Sequence, residues 1–408
     1  MRTLLSVNTY HYRRGGADIV FLEENRLFEE LGWRAIPFAM QHPKNLDSSW
    51  SEYFVDEIEF GHQYSLFEKI RKTPKVIYSV EARRKLRQLI RKTQPDVAHL
   101  HNIYHHISPS ILGVLKNEGI PTVLTAHDLK VACPAYSMLT HDGVCERCKG
   151  GKLYQVAVNK CIKNSTLLSS IVMIESYLHH YLKSYRNNVD KIVTPSKFYK
   201  RKLEEWGWNP SQLVHVPNYV DVEQFQADYT AGDYFVFFGR LSHEKGLTTM
   251  IRAAASAGVK IRIVGTGPDE AELKLLAEKC GADAEFRGYR SGQALHDEVS
   301  GARAVVLPSE WYENGPLSVL ESYALATPVI GADIGGIPEF IRSGETGAVF
   351  PSASVDGLAT ELRRFQEMPD TEIQEMGRCG RAWMEGEFTP LHYRQRIVDV
   401  FKSIGVSV

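Results

Sequence analysis

Short apolar runs separated by helical patterns recur along both halves of this chain, and no other feature restricts its fold as much. In the first half the runs are Thr3 to Val7, Arg34 to Phe38, Asp96 to His101, Pro121 to Ala126, Lys191 to Pro195 and Leu213 to Val216. In the second they are Tyr234 to Phe238, Lys260 to Val264, Ala284 to Phe286, Ala304 to Leu307, Pro328 to Gly331 and Ala348 to Phe350. Apolar runs that alternate with helices pack as parallel sheets covered on both faces. The chain is therefore expected to be α/β, with two doubly wound parallel-sheet (Rossmann-like) domains. Its 408 residues, 43% hydrophobic and 24% charged, suit two globular domains. The first is expected over residues 1–218 and the second over 219–390, with the loose segment from Tyr219 to Ala231 as the linker between them.

Residues at the C-terminal ends of such strands face the ligand crevice. One such stretch is Trp311-Tyr312-Glu313-Asn314-Gly315-Pro316-Leu317-Ser318-Val319-Leu320-Glu321. Asn314 and Gly315 are cap-type residues, Pro316 suits a first helical position, and Leu317, Leu320, Ala324 and Leu325 make the apolar stripe of a short helix. Its positive end would offer the N–H groups of Gly315, Leu317 and Ser318 to an anion, Pro316 having none. Glu313 at the mouth and Glu321 a turn and a half inside accept hydrogen bonds from hydroxyls. A phosphate site flanked in this way suits a sugar nucleotide, with Glu313 on the sugar and Glu321 on the ribose. The competing readings are a solvated helix face and the carboxyl pair of a glycosidase. Glycosidase carboxyls stand about 5 to 9.5 Å apart, whereas eight residues of helix rise about 12 Å, so the second rival fits poorly.

The Glu-x7-Glu spacing, with Asn-Gly-Pro-Leu inside it and Gly335-Gly336-Ile337-Pro338-Glu339 beyond, resembles the donor-site signature of retaining glycosyltransferases of family four. That family has the GT-B fold, in which the two domains face a central cleft. The match departs from the commonest form, Glu-Gly-Phe-Gly-Leu, in having Gly315 and Pro316 at its third and fourth positions. Gly239-Arg240-Leu241-Ser242-His243-Glu244-Lys245-Gly246 resembles the family's diphosphate clamp, in which an Arg fork and a Lys point charge neutralise two phosphates; a helix-capping turn is the alternative. Gly265-Thr266-Gly267-Pro268 is a strand-to-helix turn where backbone can approach a nucleotide. Phe286-Arg287-Gly288-Tyr289 matches the stretch that borders the base, read by backbone groups flanking Arg287.

In the first half, the loop with Arg13, Arg14, Gly15 and Gly16 occupies the place that the family sets across the cleft from the donor phosphates. Thr125-Ala126-His127-Asp128 resembles the stretch whose His approaches the transferred sugar. His101 and Asn102, at a neighbouring strand end, are candidates on the acceptor side, with satisfied structural residues as the alternative. The family's Pro-Asn-Gly-Val-Asp hinge recurs at Pro217 to Asp221, with Tyr219 in place of Gly. Its final helix, here 391–404, crosses back to the first domain.

The resemblance implies transfer of a hexose-type sugar from a nucleoside diphosphate sugar to a glycan or lipid-linked acceptor, with retention, as in cell-surface polysaccharide biosynthesis. Arg240, Lys245 and the Gly315 helix end would stabilise charge on the departing diphosphate. Glu313 and His127 would hold the sugar, and a phosphate oxygen would take the acceptor's proton. No acidic metal-binding cluster accompanies the phosphate site, so no cofactor is expected for catalysis. The alternatives are an epimerase or phosphorylase of the same fold, or a non-catalytic sugar-nucleotide-binding protein. A phosphorylase would need a Schiff-base lysine, and none is identifiable.

Cys133, Cys145, Cys148 and Cys161 fall within 29 residues around a C-x2-C. Their spacing reads either as structural zinc, with outer spacings loose for a zinc knuckle, or as a set of buried thiols. Residues 1–218 hold 30 Lys+Arg against 21 Asp+Glu, a formal +9; with 48 and 49 in the whole chain, the remainder carries −10. A helix expected over Val76 to Lys92 concentrates Arg83, Arg84, Lys85, Arg87, Arg91 and Lys92, either as a solvated face or as a peripheral contact with an anionic membrane. No nucleic-acid partner is expected. The first apolar run is too short for a secretory signal and none is long enough to span a bilayer, so the expected location is cytoplasmic, including the inner face of the cell membrane.

Overall fold

Every one of those apolar runs coincides with a strand or overlaps one. In chain order the first half supplies β1 (Thr3–Val7), β2 (Arg34–Phe38), β3 (Val97–Leu100), β4 (Thr122–Thr125), a small hairpin of β5 (Leu139–Thr140) and β6 (Gly143–Val144), then β7 (Lys191–Thr194) and β8 (Leu213–His215). The second half supplies β9 (Phe235–Phe238), β10 (Ile261–Val264), β11 (Ala284–Gly288), β12 (Ala304–Leu307), β13 (Val329–Asp333) and β14 (Gly347–Pro351). The computed structural model describes residues 1–58 and 73–407. It divides into a first unit, Met1–Val216 with Arg394–Val408, and a second, Pro217–Tyr393. Residues 59–72 lie outside the described part.

The first sheet has the order β2-β1-β3-β4-β7-β8 and the second β11-β10-β9-β12-β13-β14, with all neighbours parallel. In each, the chain winds outward from its first strand, then reverses to the other side. The reversal lies between β1 and β3 in one unit and between β9 and β12 in the other. At such a switch point the loops after the strands diverge and leave a crevice.

Alternation within the strands decides which side chain enters which core. In the second unit Phe235, Phe237, Ile261 and Ile263 join one cluster, with Leu247 and Met250 of the helix Leu247–Ala257 and Leu358 and Leu362 of the helix Val355–Glu367. Val236, Val264, Val305 and Leu307 join the opposite one, with Val319, Leu320 and Tyr323 of the helix Leu317–Ala324. The period of two along each strand thus explains two apolar layers on one sheet.

Several boundaries differ from expectation because capping side chains, not apolar pattern, set them. The basic helix is Val80–Thr93, begun by Ser79 Oγ accepting from Ala82 N at 3.1 Å. Most of its basic side chains are tied to protein. Arg83 donates to Ser110 O at 3.1 Å, Arg87 to Glu118 at 3.1 Å, Lys85 to Phe54 O at 2.5 Å, and Lys92 to Glu52 at 3.3 Å. These contacts favour a packed and solvated face for this helix. The helix Thr166–Tyr181 ends just before Lys183, which adopts a left-handed φ of 50°. The expected linker is not loose where it begins. Asn218, Tyr219 and Val220 are buried in the second unit, with Val220 N donating to Phe388 O at 3.0 Å and the Tyr219 ring 4.4 Å from Tyr393. Among the described residues no helix is long and apolar enough to cross a membrane.

The last helix, Pro390–Ser403, places its C-terminal part in the first unit. There the fully buried Phe401 lies 5.5 Å from Phe28 and 5.9 Å from His99. Phe401→Ala should therefore destabilise the first unit by about 3 to 5 kcal/mol, read as a lowered urea midpoint. Leu391→Ala, at an exposed position of the same helix, should leave the midpoint within error.

Candidate functional site

In the second unit the loops after β9, β10, β12 and β13 converge at the switch point. Gly239 N donates to Val264 O at 2.9 Å and Leu241 N to Thr266 O at 3.0 Å, which binds the end of β9 to the end of β10. A Cβ on Gly265 would fall 1.8 Å from Gly239 O, and one on Gly267 2.0 Å from Leu241 O. These glycines let two strand ends lie backbone to backbone, a structural duty beside the nucleotide approach expected of them.

Lys245 stands on the single turn His243–Lys245 and donates from Nζ to Glu313 Oε1 at 2.6 Å; the same oxygen accepts from Ser309 Oγ at 2.9 Å. Glu313 is only 8% exposed. Burial raises its carboxyl pKa, but the Lys245 charge and hydrogen bond outweigh it and hold the group below the usual range. Its backbone is fixed as well. Gly336 N donates to Glu313 O at 2.7 Å, and Gly335, at φ +61°, has no room for a side chain, since a Cβ would lie 2.5 Å from Glu313 O.

The following helix begins at Leu317, one residue later than expected, because Pro316 is its extended cap with ψ 115°. Glu313 therefore lies in the loop before the helix. The helical rise that argued against a glycosidase pair does not apply, and Glu321 sits little more than one turn inside. What distinguishes the pair is its surroundings, since Glu313 is already matched by a lysine. Asn218 Nδ2 donates to Gly315 O at 2.7 Å and anchors the turn; the sequence offered Asn218 only as part of the Pro217 to Asp221 hinge. Asn314 is buried beside it. Among the described residues the N–H groups of Gly315, Leu317 and Ser318 have no protein acceptor, while Val319 N bonds back to Pro316 O at 3.1 Å. Glu321 is half-buried, and desolvation pushes its carboxyl up to about 7.

The two remaining cations differ in kind. Arg240 is exposed and, among the described residues, has no hydrogen-bonded or ionic partner. Arg287 on the edge strand β11 is engaged, with Nε 2.7 Å from Glu298 Oε1, and Glu298 also receives Arg262 Nη1 at 3.1 Å. The Arg287 guanidinium is thus a fixed structural group, and a base would meet the strand beside it rather than its charge.

In the first unit, Asn8 and Thr9 close the switch point. Asn102 N donates to Asn8 Oδ1 at 3.1 Å, Asn8 Nδ2 to Asp18 Oδ1 at 2.8 Å, and Thr9 Oγ1 to Asn102 O at 2.7 Å. Gly15 is the extended cap of the helix Gly16–Glu30, without a side-chain capping bond. His101 Nδ1 and His127 Nε2 are 2.8 Å apart. Behind them His101 lies 3.7 Å from Glu24, Glu24 Oε1 lies 2.6 Å from His99 Nδ1, and His99 Nε2 lies 2.8 Å from Thr125 Oγ1. Burial first, then His101 and His99, hold His127 well below its ordinary pKa, so it is a neutral imidazole at neutral pH. Asp128 is pushed up to about 7 by burial, and the Tyr104 hydroxyl bonds it while lying 3.0 Å from Asn102 Oδ1.

Sequence reasoning missed Glu24 as part of this group and gave no role to His99, although both left a signal. Glu24 interrupts the stripe of Val20, Phe21, Leu27 and Phe28, all buried on one helix face. His99 on β3 and His101 just past its end, two residues apart, fall on one face of the sheet.

Residues 14–224 match the family described as Glycosyltransferase Family 4, and residues 222–383 the one described as Glycosyl transferases group 1. The chain belongs to glycosyltransferase family 4. It is 27% identical over 249 residues to a GDP-mannose-dependent monoacylated alpha-(1-6)-phosphatidylinositol monomannoside mannosyltransferase of Corynebacterium glutamicum, covering 54% of this chain and 64% of that one. Several of the curated relatives it matches are spanned over about 62% of their length. Sucrose-phosphate synthase from Thermosynechococcus elongatus superposes over 99% of both chains with a TM-score of 0.71 at 17% identity. Anabaena Alr3699/HepE, solved in complex with UDP-glucose, superposes over 99% of this chain and 100% of that one, with a TM-score of 0.67 at 15% identity. The fold of this family 4 glycosyltransferase is GT-B.

Its second unit gathers Gly239, Arg240, Lys245, Glu313, Asn314 and Gly315 on strand-end loops, with Leu317, Ser318 and Glu321 on the helix that follows. Its first unit brings His101, Asn102 and His127 together. Because Glu313 is buried and matched by one lysine, Lys245→Met should cost more stability than Glu313→Gln. Removing Lys245 leaves an unpaired buried carboxylate, worth about 3 kcal/mol or more, whereas the amide still accepts from Ser309. Thermal unfolding of both variants checks the order, and equal losses would contradict it.

Proposed function

We propose that the chain transfers a hexose from a nucleoside diphosphate sugar to a glycan or lipid-linked acceptor, with retention at the anomeric carbon. One observation carries this reading. Among the described residues, Arg240 and the N–H groups of Gly315, Leu317 and Ser318 are donors without a protein acceptor, on segments beside the Lys245–Glu313 pair. As the bond from the anomeric carbon to the diphosphate breaks, charge grows on the phosphate oxygens. Donors already in place stabilise that charge without reorganising. Glu313, held anionic, accepts from sugar hydroxyls, and Glu321 from the ribose. The acceptor hydroxyl attacks from the face that the diphosphate leaves, a phosphate oxygen takes its proton, and neutral His127 orients the sugar. The donor class is supported by the HepE complex with UDP-glucose and by the GDP-mannose-dependent relative. Synthesis of a cell-surface polysaccharide or glycolipid is the setting that the relatives favour. A lipid-linked acceptor does not rest on the basic helix, most of whose charges are answered within the protein.

Arg240→Ala and Lys245→Ala should each lower kcat by roughly 10² to 10³, or about 2.7 to 4 kcal/mol, with a smaller change in donor Kd. Turnover should need no added Mg²⁺ or Mn²⁺. Retained activity in both variants, or a strict requirement for either ion, contradicts the mechanism. Donor binding without transfer to any acceptor would instead favour a sugar-nucleotide-binding protein.

Glu321 gives a test by pH. Its carboxyl, raised to about 7 in the free protein, accepts from the ribose hydroxyls much more strongly when ionised, so donor affinity should rise with pH through that value. Calorimetry should show Kd weakening by about 10-fold from pH 8 to pH 6, and Glu321→Gln should flatten the profile. A flat wild-type profile would remove Glu321 from donor binding.

A further inference from the structure

Between β4 and β7 the chain inserts the β5–β6 hairpin and the helices Gln155–Val158 and Thr166–Tyr181. This insertion holds Cys133, Cys145, Cys148 and Cys161, all free thiols. The four line one small cavity of about 10 Å³, walled otherwise mostly by Ala135, Met138, Leu139 and Val156. That is room for about one water-sized sphere.

Local structure brings together cysteines whose spacing alone was loose. Cys145 leaves the hairpin with its N–H donating to Met138 O at 2.7 Å, and Lys149 N closes the next turn onto Glu146 O at 3.0 Å. The C-x2-C thus rides on a hairpin exit. Cys133 ends a turn that begins at Leu129, with Cys133 N donating to Leu129 O at 2.7 Å. Cys161 follows the helix Gln155–Val158, with its N–H on Val156 O at 3.1 Å and Lys160 before it at a left-handed φ of 48°. The hairpin closes one outer spacing and the helix the other.

Burial pushes Cys148 up to about 12, with Cys133, Cys161 and Cys145 adding to it, and Cys133 up to about 11. Hydrogen-bond donors and cations lie close to two of the sulfurs. Backbone N–H groups of Met138 and Ala135 reach Cys133, Lys130 lies near it, and Arg147 lies near Cys161.

We propose that Cys133, Cys145, Cys148 and Cys161 bind one structural zinc ion as a tetrathiolate. Zn²⁺ displaces the four thiol protons and draws the sulfurs to about 2.3 Å from the ion. Four protein ligands leave no open position, so the ion takes no part in transfer. Its effect is to staple an insertion that follows directly from His127 and Asp128, where Lys130 is also pinned to Glu175 at 2.8 Å. Glu24, His99 and His101 are the described group whose ligand atoms already lie within 4.8 Å of one another. Glu24 Oε1 is hydrogen-bonded to His99 Nδ1, while His101 Nε2 stands 3.7 Å from Glu24 with no hydrogen-bond partner among the described residues.

Full-length protein grown with zinc and purified without chelator should carry about one zinc per chain by mass spectrometry. A mercurial should release it, and cobalt exchanged for it should show the charge-transfer and d–d bands of tetrahedral thiolate ligation. Cys145→Ser combined with Cys148→Ser should abolish binding, while Cys280→Ser combined with Cys379→Ser should keep it. Zinc-free wild-type protein with all four thiols open to titration overturns the proposal, as does full zinc in the Cys145→Ser/Cys148→Ser variant. The cobalt spectrum needs no variant, so misfolding of one does not spare the proposal, and none of these readouts depends on transfer activity.

Discussion

Each sheet's switch point is organised around a buried carboxylate that a nitrogen base must answer. In the second unit Glu313, 8% exposed, is answered by Lys245, and this contact can form only because β9 lies beside β12 in the sheet. The loops that carry the pair are then held by backbone. Gly335 admits the Glu313 main chain, Gly265 and Gly267 admit the Gly239–Leu241 loop, and Asn218 fixes the Gly315 carbonyl. What remains uncommitted among the described residues is a set of donors, Arg240 and the first N–H groups of the helix, and those are what an anion can use. In the first unit Glu24, fully buried, is answered by His99 and His101, and the chain of contacts ends at His127. A charge placed in a low-dielectric interior is tolerated only with such partners, and the same requirement holds the surrounding side chains in one arrangement.

The sheets were readable because parallel strands buried on both faces must be short and almost wholly apolar, and runs such as Phe235–Phe238 and Ala304–Leu307 can be little else. The donor loops were readable because Arg240, Lys245 and Glu313 sit at fixed distances after such runs. Their relation was not, since the pairing of Lys245 with Glu313 spans 68 residues and depends on strand order. Pro316 was placed one residue too far into the helix because its fixed φ suits both a cap and a first turn, and only ψ separates them. Asn218 and Tyr219 looked like linker because Pro, Asn and Asp break patterns, yet their side chains are buried by partners at Gly315 and Tyr393. Glu24 was hidden by its type, since a charged residue in an apolar stripe is ordinarily counted as noise in the pattern. The cysteines were visible as a cluster, but only the hairpin and the helix after it show how distant members reach one cavity.

Function enters where the fold leaves donors unsatisfied. A structure of the protein with a bound nucleoside diphosphate measures this most directly. The account predicts phosphate oxygens on the N–H groups of Gly315, Leu317 and Ser318 and on Arg240, with Glu321 on the ribose. A diphosphate bound elsewhere, with those donors left to water, would contradict it.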